Sequence, residues 1–350
     1  MSVNLARLTT GDVGTHLRGL AVPMAVGFVA LNSFSIADTY FVSQLGTLPL
    51  AAMGFTFPVS FAMISVGLGL GIGVSSVVSR LLGSGDRNTV QRITTHALLL
   101  GIVLGVALTM LGLATIVPVF QGLGADERTL PLIREYMEVY FLCAVFIIVQ
   151  MLGNFAIRAT GDAMVPAIIL SISAAINVIL DPLLIFGLAG FPRLELRGAA
   201  IATVVANGIT FVAAIVILAY REHLIHVRHL RFEKLWDSWQ RLFHIGLPAI
   251  ATNLLTPITM AIITALVAGF GPFAVAGFGV ASRVESFVLI VIFALSSSLG
   301  PFVGQNFGAS QISRVNEAVH LSSRFCVIYG LIVAVFLFVF AQPLSTFFSD

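Results

Sequence analysis

Formal charge is scarce in this sequence. Only 10% of its 350 residues are Asp, Glu, Lys or Arg, and the mean hydropathy is +1.03. A soluble domain would have about 25% charged residues, so the composition predicts a polytopic membrane protein in contact with the lipid bilayer. The net charge of +2 is too small to indicate a nucleic-acid partner.

Cysteine and chemical motifs are equally scarce. Cys143 and Cys326 lie in apolar runs without a CxxC partner, which favours small buried hydrophobes over metal or redox roles. His223, His226 and His229 recur every third residue without a carboxylate cluster, so we predict no metal site there. No Walker motif and no hydrolase motif is present, so we predict neither an enzyme nor a nucleotide partner.

Nine apolar runs are long enough to cross a bilayer as helices. The predicted class is therefore an all-α polytopic membrane protein, with spans near 17–41, 50–79, 94–119, 132–157, 163–189, 197–219, 244–269, 275–305 and 321–348. Most arginines fall in the connections on one side, and the positive-inside rule puts these and the N-terminus in the cytoplasm. We expect a bacterial cytoplasmic (inner) membrane protein.

The stretch 220–243 is the long polar interruption. It is either a basic amphipathic helix on the cytoplasmic leaflet or a simple connector, and the sequence fits both. It separates a predicted N-terminal lobe of six helices, residues 1–219, from a predicted C-terminal lobe of about three, residues 244–350.

The two lobes resemble each other in sequence. Pro23 and Pro248 are 225 residues apart, and at the same offset several glycines of the first lobe fall on glycines of the second: Gly46 on Gly271, Gly54 on Gly279 and Gly83 on Gly308. This register predicts two helical bundles related by a parallel internal repeat. The second bundle has counterparts of spans one to three only, so either the chain is truncated or further helices come from elsewhere.

Asp38 is the sole charged residue between Arg18 and Arg80. An acid inside a membrane span is energetically costly and usually marks an ion or substrate pathway. Its repeat counterpart is Ile263, so the fold itself does not require a carboxylate there. We therefore predict a proton or cation site at Asp38; the alternative is a carboxylate that merely reaches headgroup water.

Asp181 is likewise the sole charge between Asp162 and Arg193. Asn177 precedes it by one helical turn, and Gln150 and Asn154 repeat that spacing in the fourth span. Buried amides of this kind also serve as hydrogen bonds between helices. We nevertheless predict that Asp38, Asn154, Asn177 and Asp181 form one polar cavity, with Gln150 as a weaker candidate.

Pro23 is the predicted bending point of a helix, and Arg283 and Glu285 are weaker site candidates. Pro23 interrupts the first span and should bend the helix that carries Asp38, either statically or as a bistable element. Arg283 and Glu285 lie early in the eighth span, as a self-neutralising pair or a second-bundle cation site. Residues i and i+2 do not face each other on a helix, which disfavours a direct pair.

Several segments together resemble one transporter family. These are LAVPMAVGFVALNSFSIADTYFVSQLGTLPLAA, RLLGSGD, NFAIRATGD, INVILDPLLIFGLAG and RGAAIATVVAN in the first lobe, and FGVASRVESF and GQNFGA in the second. They are similar to the MATE (multidrug and toxic compound extrusion) transporters, and most to the DinF-like branch. The resemblance implies a two-lobed, twelve-helix antiporter that exports small organic cations in exchange for H⁺ or Na⁺, without a bound cofactor.

On that resemblance the first-lobe ion and substrate site is Asp38, Asn154, Asn177 and Asp181, with Pro23 as the bending point. We expect alternating access by rocking of the two lobes. Two alternatives stay open from the sequence: a lipid-linked oligosaccharide flippase of related architecture, and a truncated fragment that does not transport.

Overall fold

The computed structural model describes residues 6–225 and 232–340. Within these ranges every regular element is helical, as the predicted all-α class requires. The ten α-helices are α1 Val13–Ser43, α2 Thr47–Gly83, α3 Arg87–Gly122, α4 Thr129–Leu142, α5 Ala144–Ala159, α6 Met164–Phe186, α7 Glu195–Val216, α8 Leu235–Ala268, α9 Pro272–Gly308 and α10 Ile312–Val339.

Eight of the described helices are long and apolar enough to cross a membrane, and α4 with α5 is a ninth candidate if the bent pair counts as one span. The pair is bent by 46°, and it covers the span that the sequence predicted near 132–157 without indicating the bend. A contact from a neighbouring helix lies beside the break. The Thr109 hydroxyl on α3 donates to the Phe141 carbonyl at 2.7 Å, so this carbonyl beside the break has a hydrogen-bond donor from another helix.

The internal repeat is present in the helix bounds. α2 and α9 both have 37 residues, and they begin and end 225 residues apart. α3 and α10 begin at the same offset. Gly46 and Gly271 precede the paired helices with φ of 114° and 101°, a left-handed conformation that favours glycine in both copies. The predicted fold class, two repeat-related bundles, is therefore confirmed.

The polar stretch between the bundles is partly helical. α7 ends in a π-helical turn, Ile217–Arg221, and α8 begins at Leu235. The indole N–H of Trp239 donates to the His96 carbonyl at 3.0 Å, and Ser238 hydrogen-bonds the His96 ring at 2.8 Å. The start of α8 thus packs on α3, a contact that the sequence did not predict, and the two interpretations of the polar stretch stay open. Residues 226–231, with His226 and His229, lie outside the described residues, and the lobe boundaries stay a prediction.

The two bundles make their closest backbone contact at one end. A Cβ at Gly83 of α2 would collide with the Gln305 carbonyl of α9, and a Cβ at Gly308 of α9 would collide with the Arg80 carbonyl of α2. Because the two pairs are related by the offset of 225, the contact is symmetric. Small residues of this kind let two membrane helices approach closely. We call this end of the molecule the closed end.

The glycines at the opposite ends of α2 and α9 make no such contact. A Cβ at Gly54 or at its repeat counterpart Gly279 would meet no atom within 4 Å. α1 begins at the closed end, where Leu17 and Met24 share a core cluster with Phe302 of α9. It ends at the other end, which we call the open end. The larger core clusters lie mainly in the first bundle, and one of them also includes Leu242 of α8.

Candidate ion and substrate site

The structure brings the two lone aspartates together. α1 packs against α6, so Asp38 and Asp181 lie close enough to interact electrostatically, in the half of the first bundle nearer the open end. Asp38 is 9% exposed and Asp181 is 1% exposed. Two carboxylates held this deep in one apolar bundle are an arrangement that packing alone does not require. The burial of Asp38 argues against the alternative of a side chain that simply reaches headgroup water.

Two tyrosines adjoin the aspartates. Tyr136 is buried on α4 within electrostatic range of both carboxylates, and it stacks on Tyr140 with ring centroids 5.7 Å apart. Tyr140 in turn lies near Ser60 on α2. Sequence reasoning did not single out either tyrosine. The available signal was their spacing of one helical turn in an apolar run of a chain with only five tyrosines.

Several oxygens around Asp181 are buried without a hydrogen-bond donor. Both carboxylate oxygens of Asp181 and the side-chain oxygen of Asn177 belong to this group. The Asn177 amide N–H donates to the Ser173 carbonyl at 2.9 Å, so the amide nitrogen is satisfied while its oxygen is free. Unpaired acceptors buried in a membrane protein are costly. A proton or a cation is the species that this set of oxygens would bind.

The fourth-span candidates lie on α5. Gln150 and Asn154 are buried on α5, and the Asn154 side-chain oxygen also lacks a donor. α5 packs chiefly on α2, α3 and α7 and touches α6 only slightly. That Asp38, Asn154, Asn177 and Asp181 form one polar cavity, with Gln150 as a weaker candidate, stays a prediction.

The remaining candidates do not join the aspartates. Pro23 lies inside α1, about 22 Å along the helix from Asp38 at 1.5 Å per residue, and α1 is continuous across it. Arg283 and Glu285 are both exposed on α9. Among the described residues neither of these two forms an ion pair, so the role of this pair stays a prediction.

The donor set restricts the chemistry. It consists of carboxylate, amide and phenol oxygens, which suit H⁺ or a hard cation such as Na⁺ and not a soft transition metal. In the ranges that the structure describes, no three or more His, Cys, Asp or Glu side chains group as metal ligands. The arrangement can therefore hold and release a proton or a monovalent cation inside the first bundle.

Comparisons with known proteins agree with this architecture. A family model described as MatE matches residues 23–183 and 248–350, on both sides of the polar stretch. A protein of Shewanella oneidensis named FAD transporter is 41% identical over 342 residues, which cover 98% of this chain and 76% of that protein.

Solved structures are similar over the same extent. The Vibrio cholerae MATE transporter VcmN, solved as a mutant, has a TM-score of 0.90 and 30% identity, covering 96% of this chain and 75% of that one. A multidrug resistance MATE family transporter in an outward-facing conformation has a TM-score of 0.92 and 26% identity, covering 99% and 77%. The family model spans more than half of the chain, and its members are transporters. This chain belongs to the MATE family of membrane transporters.

Proposed function

We propose that the protein is a secondary active antiporter that exports an organic substrate in exchange for H⁺ or Na⁺. The observation that carries the proposal is the buried pair Asp38 and Asp181, whose neighbourhood offers acceptor oxygens without donors. Two ionised carboxylates in a low-dielectric interior repel each other. A proton or cation must therefore accompany them whenever water leaves the site, and this requirement is the basis of coupling.

Alternating access would move this site between the two sides of the membrane. We place the N-terminus in the cytoplasm, which makes the closed end cytoplasmic and leaves the open end facing outward. The distribution of arginines and the likeness to an outward-facing MATE structure support this orientation. Asp38 and Asp181 lie toward the open end, where an entering ion would reach them. Inward movement of one charge releases about 2.3 kcal/mol per 100 mV of membrane potential.

The substrate class has two candidates. Small organic cations fit a site whose charged side chains are acidic, since an unprotonated carboxylate attracts them and a protonated one releases them. The relative of Shewanella oneidensis favours a second candidate, FAD, whose pyrophosphate is anionic. An anion would be repelled by the ionised pair, so export of FAD requires that the aspartates bind only the coupling ion. The same repulsion disfavours a lipid-linked diphosphate, the flippase alternative.

Transport by purified protein in liposomes tests the proposal. Ethidium and FAD are the two probes, and pH and Na⁺ gradients are imposed separately. Asp38→Asn and Asp181→Asn keep the side-chain shape but remove the charge, and we expect at least about a tenfold loss of gradient-driven transport. Asp237→Asn is the matched control, because Asp237 is an exposed aspartate at the start of α8.

The outcomes separate the alternatives. Wild-type rates in either site variant would refute the role of the aspartates. Transport of FAD alone, still lost in both variants, would replace the organic cation as substrate and keep the ion site. A folded chain that moves neither probe under either gradient would support the non-transporting alternative.

A further inference from the structure

The segment that precedes α1 crosses the seam between the two bundles. Residues 6–12 lie at the closed end, and we call them the N-terminal strap. The Leu8 N–H donates to the Gln305 side-chain oxygen at 3.0 Å, and the Gln305 amide donates to the Ala159 carbonyl at 2.6 Å. One buried glutamine of the second bundle therefore bonds the strap and the end of α5 together.

Asn306 and Arg314 hold the other face of the strap. The Asn306 amide donates to the Leu8 carbonyl at 3.1 Å. The Arg314 guanidinium donates to the Gly11 carbonyl at 2.6 Å, to the Leu8 carbonyl at 3.2 Å and to the Asn306 side-chain oxygen at 2.8 Å. Every one of these donors comes from α9 or α10, so the second bundle hydrogen-bonds the backbone of the strap.

The first bundle binds the strap as well. Leu8 is 2% exposed, and a Cβ at Gly161 would contact its side chain. Arg7 forms an ion pair at 3.4 Å with Glu222, which is itself buried, and Glu222 adjoins Arg221. The strap is thus attached on both sides of the seam. Asp12, its last residue, caps α1 by accepting from the Thr15 N–H at 2.7 Å.

These contacts lie at the end where Gly83 and Gly308 cross. Separation of α2 from α9 at that end would pull Gln305, Asn306 and Arg314 away from Leu8 and Gly11, or pull Leu8 away from α5. Either movement breaks several buried hydrogen bonds at once, and those made by a charged guanidinium are the stronger ones. The strap contacts are therefore specific to the conformation that is shut at the closed end.

We propose that the N-terminal strap locks the closed end, and that it must leave Gln305, Asn306 and Arg314 before the bundles can open on that side. The proposal rests on the alternating access of the proposed function. Because α1 follows the strap directly, its release also frees the first turn of the helix that bears Asp38.

Distance measurement between spin labels tests the lock. Asn88 and Ser313 are exposed repeat counterparts at the starts of α3 and α10. Both are replaced by Cys in a chain whose Cys143 and Cys326 are changed to Ala. We expect Arg314→Ala and Gln305→Leu to raise the population with a long distance between these labels by about tenfold. Arg324→Ala is the matched control, because Arg324 is an exposed arginine of the same helix.

A second measurement keeps Arg314 and Gln305 intact. A Leu8→Cys substitution reports on release of the strap, because a maleimide can reach this position only when the strap leaves its buried place. The labelling rate should rise in the conditions that lengthen the distance between positions 88 and 313. An unchanged distance distribution in folded Arg314→Ala and Gln305→Leu proteins would overturn the proposal, as would a labelling rate that does not follow the distance.

Neither measurement uses a substrate or a coupling ion. If the aspartate variants transport normally, the strap proposal still stands on the distance measurements. If the strap variants do not change the distance between the labels, the antiport proposal still stands on the transport measurements. The two proposals can therefore fail separately.

Discussion

A methyl group at Gly308 tests how closely the bundles must meet. In Gly308→Ala the new Cβ collides with the Arg80 carbonyl of α2, a backbone atom that cannot turn aside as a flexible side chain would. Overpacking of this kind costs about 1–3 kcal/mol. The gain in helix propensity from Gly to Ala does not reduce this cost, because α9 is helical whether the bundles touch or separate. The penalty on the closed arrangement is therefore about 1–3 kcal/mol.

This penalty applies only where the bundles touch. A difference of about 1–3 kcal/mol changes an equilibrium by a factor of about 5–150. We expect the fraction of molecules separated at the closed end to rise by that factor, measured by the distance between spin labels at Asn88→Cys and Ser313→Cys. Gly83→Ala should act in the same direction, because its Cβ meets the Gln305 carbonyl in the symmetric contact.

The repeat supplies the control. Gly279→Ala makes the same chemical change in the same helix, where the new Cβ meets nothing within 4 Å. It should leave the distance distribution unchanged. The reasoning fails if Gly308→Ala and Gly279→Ala behave alike in folded protein, because the symmetric glycine contact would then not hold the closed end together.

Two further predictions concern single side chains. Tyr136→Phe removes a phenol hydroxyl within electrostatic range of both aspartates, and gradient-driven transport should fall about tenfold. Tyr40→Phe changes an exposed tyrosine of α1 and should have no effect. Equal transport rates in the two variants would contradict this prediction. Hydrogen bonds from the Thr89 side chain and backbone lower the pKa of Asp86 in the folded protein. The Asp86 cap at the start of α3 therefore stabilises the fold fully above the unfolded pKa of about 3.9. This stabilisation is lost as the pH falls through the lower folded pKa. Asp86→Ala should cost about 1 kcal/mol at neutral pH and progressively less as the pH falls below about 3.9. Thermal unfolding in detergent measures this cost, and a cost that does not change with pH would contradict the prediction.

The sequence predicted the elements whose signal is local or periodic. Long apolar runs predicted the spans. The bilayer core has no water to pair with backbone N–H and C=O groups, so a spanning segment pairs them within a helix. The offset of 225 between glycines gave the repeat, and the bounds of α2 and α9 follow it residue for residue. Asp38 and Asp181 stood out because each is alone in its span; their role in ion coupling stays a prediction.

Other features depend on partners that are distant in the chain. The Phe141 carbonyl beside the bend accepts from the Thr109 hydroxyl, and the start of α8 hydrogen-bonds His96. Neither partner can be recognised from the residues at the bend or at the helix start. Tyr136 reads as one more apolar aromatic until α4 is placed beside α1 and α6.

Sequence alone thus determined that the chain is a helical membrane protein with two related bundles and two isolated acids. Hydropathy depends only on the residues of each segment, and the repeat depends only on residue identities at a fixed offset. Tertiary structure decided which end of the molecule is shut. The glycines of both ends look equivalent in the sequence, and only the crossing of α2 and α9 distinguishes Gly83 and Gly308 from Gly54 and Gly279. The strap is another such feature, because hydrogen bonds between Leu8 and residues about 300 positions later form only once both bundles have folded.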